Sequence, residues 1–105
     1  MQELNVISGQ QDTEAFSLGN GSQGGVLTRV ETPAALTSTA MTIYVSVDGG
    51  ATFKLSSGAS ITVAADRSYY IDPLYTRGGT HAKLKFGTAE GAARVIKIQT
   101  EYRRN

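Results

Sequence analysis

The chain has 105 residues, the usual size of one domain, and no cysteine, which excludes disulfides and thiolate metal sites and leaves packing, strand pairing and oligomerisation to stabilise it. Ten Lys and Arg stand against nine Asp and Glu, so the basic excess of a nucleic-acid-binding protein is missing. No apolar run approaches the roughly 20 residues of a membrane-spanning helix, and Met1-Gln2-Glu3-Leu4-Asn5 lacks the basic and apolar regions of an export signal; a soluble protein made in a reducing cytoplasm is expected.

Leu4 to Ile7 and Thr13 to Leu18 read as short strands, followed by a loop at Gly19-Asn20-Gly21-Ser22-Gln23-Gly24-Gly25 and a strand over Gly25 to Glu31. Pro33-Ala34-Ala35-Leu36 is the best helical candidate, one turn at most. The clearest strand is Thr42 to Asp48, whose period of two puts Ile43, Val45 and Val47 on a core face and Thr42, Tyr44 and Ser46 on the other. Thr52 to Leu55, Ser60 to Ala64 and Ser68 to Asp72 are shorter candidates. In Ala82 to Phe86, Leu84 and Phe86 face a core while Lys83 and Lys85 face water, and Arg94 to Tyr102 buries Ile96, Ile98 and Tyr102.

Short strands at this spacing, with turn residues between them and no segment long enough for a crossover helix, predict an all-β fold. The expected architecture is an antiparallel β-sandwich or jelly roll of about eight strands, one domain over residues 1–105. The polar, weakly patterned Met1 to Gln10 is read as an N-terminal arm or swapped strand.

Hydrolytic chemistry needs a nucleophile with a base, a carboxylate pair, or a ligated metal. The chain has one histidine, His81, which follows the Gly78-Gly79-Thr80 turn and reads as a strand-edge residue. Asp48, Asp66, Asp72 and Glu90 fall in or near turns, where a carboxylate bonds nearby backbone N–H groups. No catalytic, cofactor-binding or metal-ligating set is therefore expected, and the protein is read as non-enzymatic with no cofactor.

Ser46-Val47-Asp48-Gly49-Gly50-Ala51-Thr52-Phe53 reads S-x-D-x-G-x-x-F and resembles the Asp-box hairpin of sialidases and many unrelated β proteins. In it Ser46, Asp48, Gly50 and Phe53 are structural: Asp48 accepts bonds from the loop backbone, Gly49 and Gly50 take positive φ, and Phe53 returns a ring to the core. Tyr69, Tyr70 and Tyr75 gather with Arg67 and Arg77 around Asp72-Pro73-Leu74. Tyr with Arg is the composition of a contact surface, so Tyr69, Tyr70, Tyr75 and Arg77 are the candidate interface, with Tyr69 and Tyr70 on opposite faces of their strand. Arg103-Arg104, Lys83 and Lys85 read as solvated cations.

Phe16-Ser17-Leu18-Gly19, the step Pro33-Ala34-Ala35-Leu36-Thr37, the Ser46 to Phe53 hairpin, Ile71-Asp72-Pro73 and Lys83-Leu84-Lys85-Phe86-Gly87-Thr88 together give a chain of a particular style. From Thr13 to Tyr102 it resembles the small β-rich structural proteins of bacteriophage particles, most of all capsid decoration or cement proteins. That resemblance implies a homo-oligomer, dimer or trimer, that binds the major capsid protein on the outside of the lattice, located in the virion, with neither membrane nor nucleic acid as partner. A tail, neck or fibre-associated adaptor is the alternative within the particle. From another class, a carbohydrate-binding module would use the tyrosines as a stacking platform, although the chain has no Trp.

Overall fold

A computed structural model describes residues 2–18 and 25–102, the side chains of Ser57, Ala59 and Tyr102 aside. The Gly19 to Gly24 loop, the Arg103-Arg104 pair and the Tyr102 ring lie outside the described residues. Eight strands follow one another: β1 (Gln2–Val6), β2 (Phe16–Ser17), β3 (Gly25–Glu31), β4 (Ala40–Ser46), β5 (Lys54–Thr62), β6 (Ser68–Tyr70), β7 (His81–Phe86) and β8 (Arg94–Tyr102). They form two four-stranded sheets in the orders β1-β8-β3-β6 and β2-β7-β4-β5. All strand pairs are antiparallel. Only β4 and β5 are consecutive within one sheet; at each remaining connection the chain crosses to the other sheet, which is the winding of a jelly roll.

Alternation builds the core. In β7 every second residue is buried, with Ala82, Leu84 and Phe86 inward, and Met41 and Ile43 of β4 meet them on the same sheet. The facing sheet supplies Leu4 and Val6 from β1, Leu27 and Val30 from β3, and Ile96 and Ile98 from β8. Each such side chain, fully removed from water, contributes about 1.5–3 kcal/mol. The first residues therefore form an edge strand paired with β8 of the same chain, from Gln2 opposite Ile98 to Val6 opposite Arg94, with Leu4 and Val6 in the core.

Leu27 and Val30 are three residues apart, which in a regular strand would put them on opposite faces. The register against β8 shifts between Leu27 and Arg29, so Thr28 is an extra residue that resets the phase. The backbone groups at this bulge find partners elsewhere: Leu27 N–H donates to Thr76 Oγ1 at 2.8 Å, and Thr28 C=O accepts from Ile71 N–H at 2.9 Å.

Several expectations are corrected. Thr52 to Leu55 and Ser60 to Ala64 are not separate strands: Lys54, Leu55 and Ser60 to Thr62 belong to the one strand β5, the rest lie outside it, and its register against β4 jumps from Ser60 to Leu55 while β4 advances from Thr42 to Tyr44. Of Thr13 to Leu18, Phe16 and Ser17 form a strand. Pro33 to Leu36 makes no helical turn, since Leu36 is drawn against the core in a non-helical crossing. Among the described residues a 3-10 turn forms instead at Pro73–Tyr75, where Asp72 accepts from Leu74 N–H at 3.0 Å and Pro73 presets φ at the first position.

Val47 does not join the core face: β4 ends at Ser46, Ser46 is fully buried, and Val47 is 76% exposed. The Phe53 ring likewise stays half-buried on the outside of the sandwich, with the Lys83 ammonium 5.1 Å from its centroid. Ser46, opposite His81, stays on the outer face that the alternation gives it and is buried there because the hairpin folds over it, while Val45, opposite Ala82, keeps the core side.

Candidate interaction surface

Ser46 Oγ is the centre of the β4–β5 hairpin. It donates to Asp48 Oδ1 at 2.6 Å and accepts from Gly50 N–H at 2.9 Å, while Asp48 Oδ1 also accepts from Thr52 N–H at 3.0 Å. Those bonds, led by the Ser46 hydroxyl and then by Thr52, hold the Asp48 carboxyl at about 2, below its ordinary 3.8. Gly49 and Gly50 have φ of 80° and 93°, a region that costs a side-chain-bearing residue and costs glycine little. With β4 ended at Ser46, Val47 lies in the turn and is exposed.

Across from the hairpin stands the Pro73–Tyr75 turn. Ser56 Oγ donates to the Tyr75 carbonyl at 2.7 Å, tying the turn to β5, and Thr76, fully buried, ties it to the β3 bulge. Between the two lies an open groove of about 470 Å³, whose apolar walls are Val47, Leu55 and Leu74. These three are 76%, 54% and 66% exposed. Lys54, Arg77 and Asp48 also line it, and neither cationic side chain makes an ion pair or hydrogen bond among the described residues.

The four residues read as an interface are not one patch. Tyr75 and Arg77 share this groove, Tyr75 half-buried and Arg77 exposed. Tyr69 turns inward, packs on the core, and accepts from Ala64 N–H through its phenolic oxygen at 2.7 Å. Tyr70, 65% exposed, lies on the outer side of the other sheet, in a polar groove with Arg29, Glu31, Gln99 and Glu101. Tyr and Arg composition draws attention to the region, whereas the aliphatic residues that shape the groove give no such signal. For Val47 a signal does exist: it stands inside the S-x-D-x-G turn, where the strand pairing that would carry it to the core face has ended.

Glu90 is a second site whose nature the sequence conceals. Its carboxylate is buried, 1% exposed, and spans two segments: Oε1 accepts from Thr37 N–H at 2.8 Å and Arg94 Nε–H at 2.9 Å, and Oε2 from Ser38 N–H at 2.9 Å and Ser38 Oγ–H at 2.8 Å. Burial pushes its pKa up, but the Thr37 amide, the Arg94 guanidinium and the Ser38 donors outweigh it and hold the group at about 2, against an ordinary 4.5. All of its strong acceptor positions are occupied by the chain itself, so the group is a clamp and not a free acid.

His81 begins β7 opposite Ser46, and its Nδ1 lies 3.2 Å from Thr80 Oγ1. Among the described residues no group of three or more His, Asp and Glu side chains could hold a metal ion, and no buried side-chain nitrogen or oxygen lacks a hydrogen-bond partner. No helix is long and apolar enough to cross a membrane among the described residues.

The fold and the groove define a small jelly-roll domain with an apolar, cation-flanked surface cleft. No family model matches the chain, and no curated protein matches it. Among solved structures it is similar to the Drosophila NLP-core, a crystal structure described as giving insight into pentamer formation and histone binding; the match covers 95% of this chain and 96% of that one, at a TM-score of 0.46 and 10% identity. A likeness at that level carries no functional argument.

Proposed function

We propose that the protein is a non-enzymatic structural protein of a bacteriophage particle, a decoration protein that docks on the outside of the capsid lattice and stabilises the head. The observation that supports docking is the groove: of the large hydrophobic side chains exposed among the described residues, Val47, Leu55 and Leu74 cluster along one cleft, while Ile7, Tyr70 and Val95 lie outside it. Single exposed aliphatics are ordinary, but several lining one cleft mark a surface that another molecule covers. The capsid as the other molecule comes from the resemblance in style to virion proteins. A compact module that bridges neighbouring capsid subunits adds contacts only an assembled lattice supplies, and repeated weak contacts become strong by multivalency.

Copy number in purified particles tests this reading. A decoration protein is present on the order of hundreds of copies, whereas a tail, neck or fibre adaptor is present in tens or fewer; quantitative mass spectrometry against the major capsid protein separates them. A second reading has one observation behind it, the exposed Tyr70 ring among hydrogen-bonding side chains of the opposite sheet, which suits stacking on a sugar. Binding on a glycan array that Tyr70→Ala abolishes would establish it.

A further inference from the structure

The β4–β5 hairpin contains the chain's one Asp-Gly step, Asp48-Gly49. We infer that this step is a latent isoaspartate site, held shut by hydrogen bonds of the hairpin to Thr80, Ser46 and Thr52. The inference stands apart from the docking reading and needs no partner.

The chemistry is internal to the chain. The Gly49 nitrogen attacks Asp48 Cγ: the N–Cγ bond forms, the Cγ–OH bond breaks, and the amide proton leaves with the hydroxyl as water, giving a five-membered succinimide. Water then opens the ring at either carbonyl. Opening at the α-carbonyl breaks its bond to the Gly49 nitrogen and routes the main chain through Asp48 Cβ and Cγ. Only water is released and taken up. A glycine after the aspartate favours closure, since it has no Cβ to crowd the approach, and both residues are exposed, so water reaches the ring.

The structure opposes closure at both reacting groups. The nucleophile is engaged, because Gly49 N–H donates to Thr80 Oγ1 at 3.0 Å. The electrophile is pinned, because Asp48 Oδ1 accepts from Ser46 Oγ–H at 2.6 Å and from Thr52 N–H at 3.0 Å. Those bonds also favour the carboxylate over the neutral acid, and the neutral acid is the form that loses water readily. Thr80 is itself fixed, its N–H donating to the Ser46 carbonyl at 2.8 Å. Isomerisation would undo this arrangement: the free carboxylate moves to Asp48 Cα and the backbone gains a methylene, so the bonds to Ser46 and Thr52 are lost and the neighbouring Val47 with them loses its place.

The test follows isoaspartate at residue 48 by peptide mapping, in the full chain and in the capped peptide Ser-Val-Asp-Gly-Gly-Ala-Thr, both held at pH 6 and 37 °C. Trypsin cuts after Arg29 and Lys54, so the fragment 30–54 reports Asp48 apart from the Asn20-Gly21 step. The expected result is a rate in the folded chain at least about tenfold below that of the peptide. Thr80→Val and Ser46→Ala should each raise the folded rate about two- to tenfold, the range that corresponds to one lost hydrogen bond. Thr76→Val weakens the β3 bulge and leaves the hairpin's bonds in place, and should not raise it. Ser46 is fully buried, so if Ser46→Ala does not keep the parent spectrum, Thr80→Val decides. Isomerisation of the folded chain as fast as the peptide, or an unchanged rate in Thr80→Val, overturns the proposal. Equal acceleration by Thr76→Val also overturns it, and assigns the rate to unfolding of the whole domain.

Discussion

Replacing Glu90 by Gln should destabilise the protein by about 3 kcal/mol at neutral pH, and the deficit should shrink in acid. The carboxyl titrates at about 2 in the folded chain and has an ordinary value of 4.5. At about 1.4 kcal/mol per pH unit, that gap is worth about 3 kcal/mol of folding free energy. Because the folded value is the lower one, the contribution is fully present above 4.5 and is lost as pH falls toward 2. By pH 3 about 2 kcal/mol of it should be gone. The amide introduced by Glu90→Gln would be neutral at every pH and would offer N–H donors to a site made of the Thr37 and Ser38 amides and Arg94, leaving at least one donor unmatched, at a cost of about 1–3 kcal/mol or more beside a cation. Urea unfolding of both proteins at pH 7, 5, 4 and 3 isolates the effect, since the other carboxylates titrate in each and cancel in the difference. A difference of about 3 kcal/mol at pH 7 that falls to about 1 at pH 3 is predicted. A difference that stays constant with pH would refute the assignment of the Thr37-Ser38 crossing to an ionised clamp.

Further expectations concern the parts of the fold that carry the cleft. Thr76→Val removes the acceptor for Leu27 N–H at the β3 bulge, and should cost about 1–3 kcal/mol by urea melt, with faster hydrogen exchange at the Leu27 amide. Gly79→Ala would place a Cβ 2.5 Å from Val45 Cγ1, whereas at Gly87 the nearest atom, Ala40 Cβ, is 3.5 Å away; the first should destabilise by about 1–3 kcal/mol and the second by less than about 0.5 in the same assay. Phe86→Ala empties the core at the end of β7, where the ring is fully buried, and should cost about 3–5 kcal/mol. Asp12→Asn breaks a partly exposed pair with Lys83, and should change stability by less than about 1 kcal/mol.

The sandwich is legible in the sequence wherever one face of a strand is buried without interruption. In β7, β4 up to Val45, and β8, alternation marks the same inward residues that the core contains. It fails where something other than hydropathy decides direction. β4 ends where the Ser46 hydroxyl begins the hairpin, so the alternation that carries Met41, Ile43 and Val45 to the core stops before Val47, which makes Val47 a cleft residue and not a core residue. The β3 bulge cannot be read from Leu27-Thr28-Arg29-Val30, since its stabilising partner Thr76 is 49 residues away.

Glu90 reads as a turn acid because its donors, Thr37 and Ser38, are distant in sequence and ordinary in composition. For the cleft, composition suggests the Tyr75 and Arg77 side, but Leu55 and Leu74 become neighbours only through the packing of the Pro73–Tyr75 turn on β5. Tyr69 and Tyr70 illustrate the limit in the other direction: adjacent in sequence, they serve the core and the opposite outer face.

Docking on a phage head through the cleft is what we propose for this domain. The most direct measurement mixes purified protein with undecorated mature capsids of the proposed parent phage and separates bound from free by sedimentation, for the wild type and for Leu74→Ala/Arg77→Glu. Saturable binding at many copies per particle, weakened in the double variant, is the predicted result; absence of binding to intact capsids would contradict it.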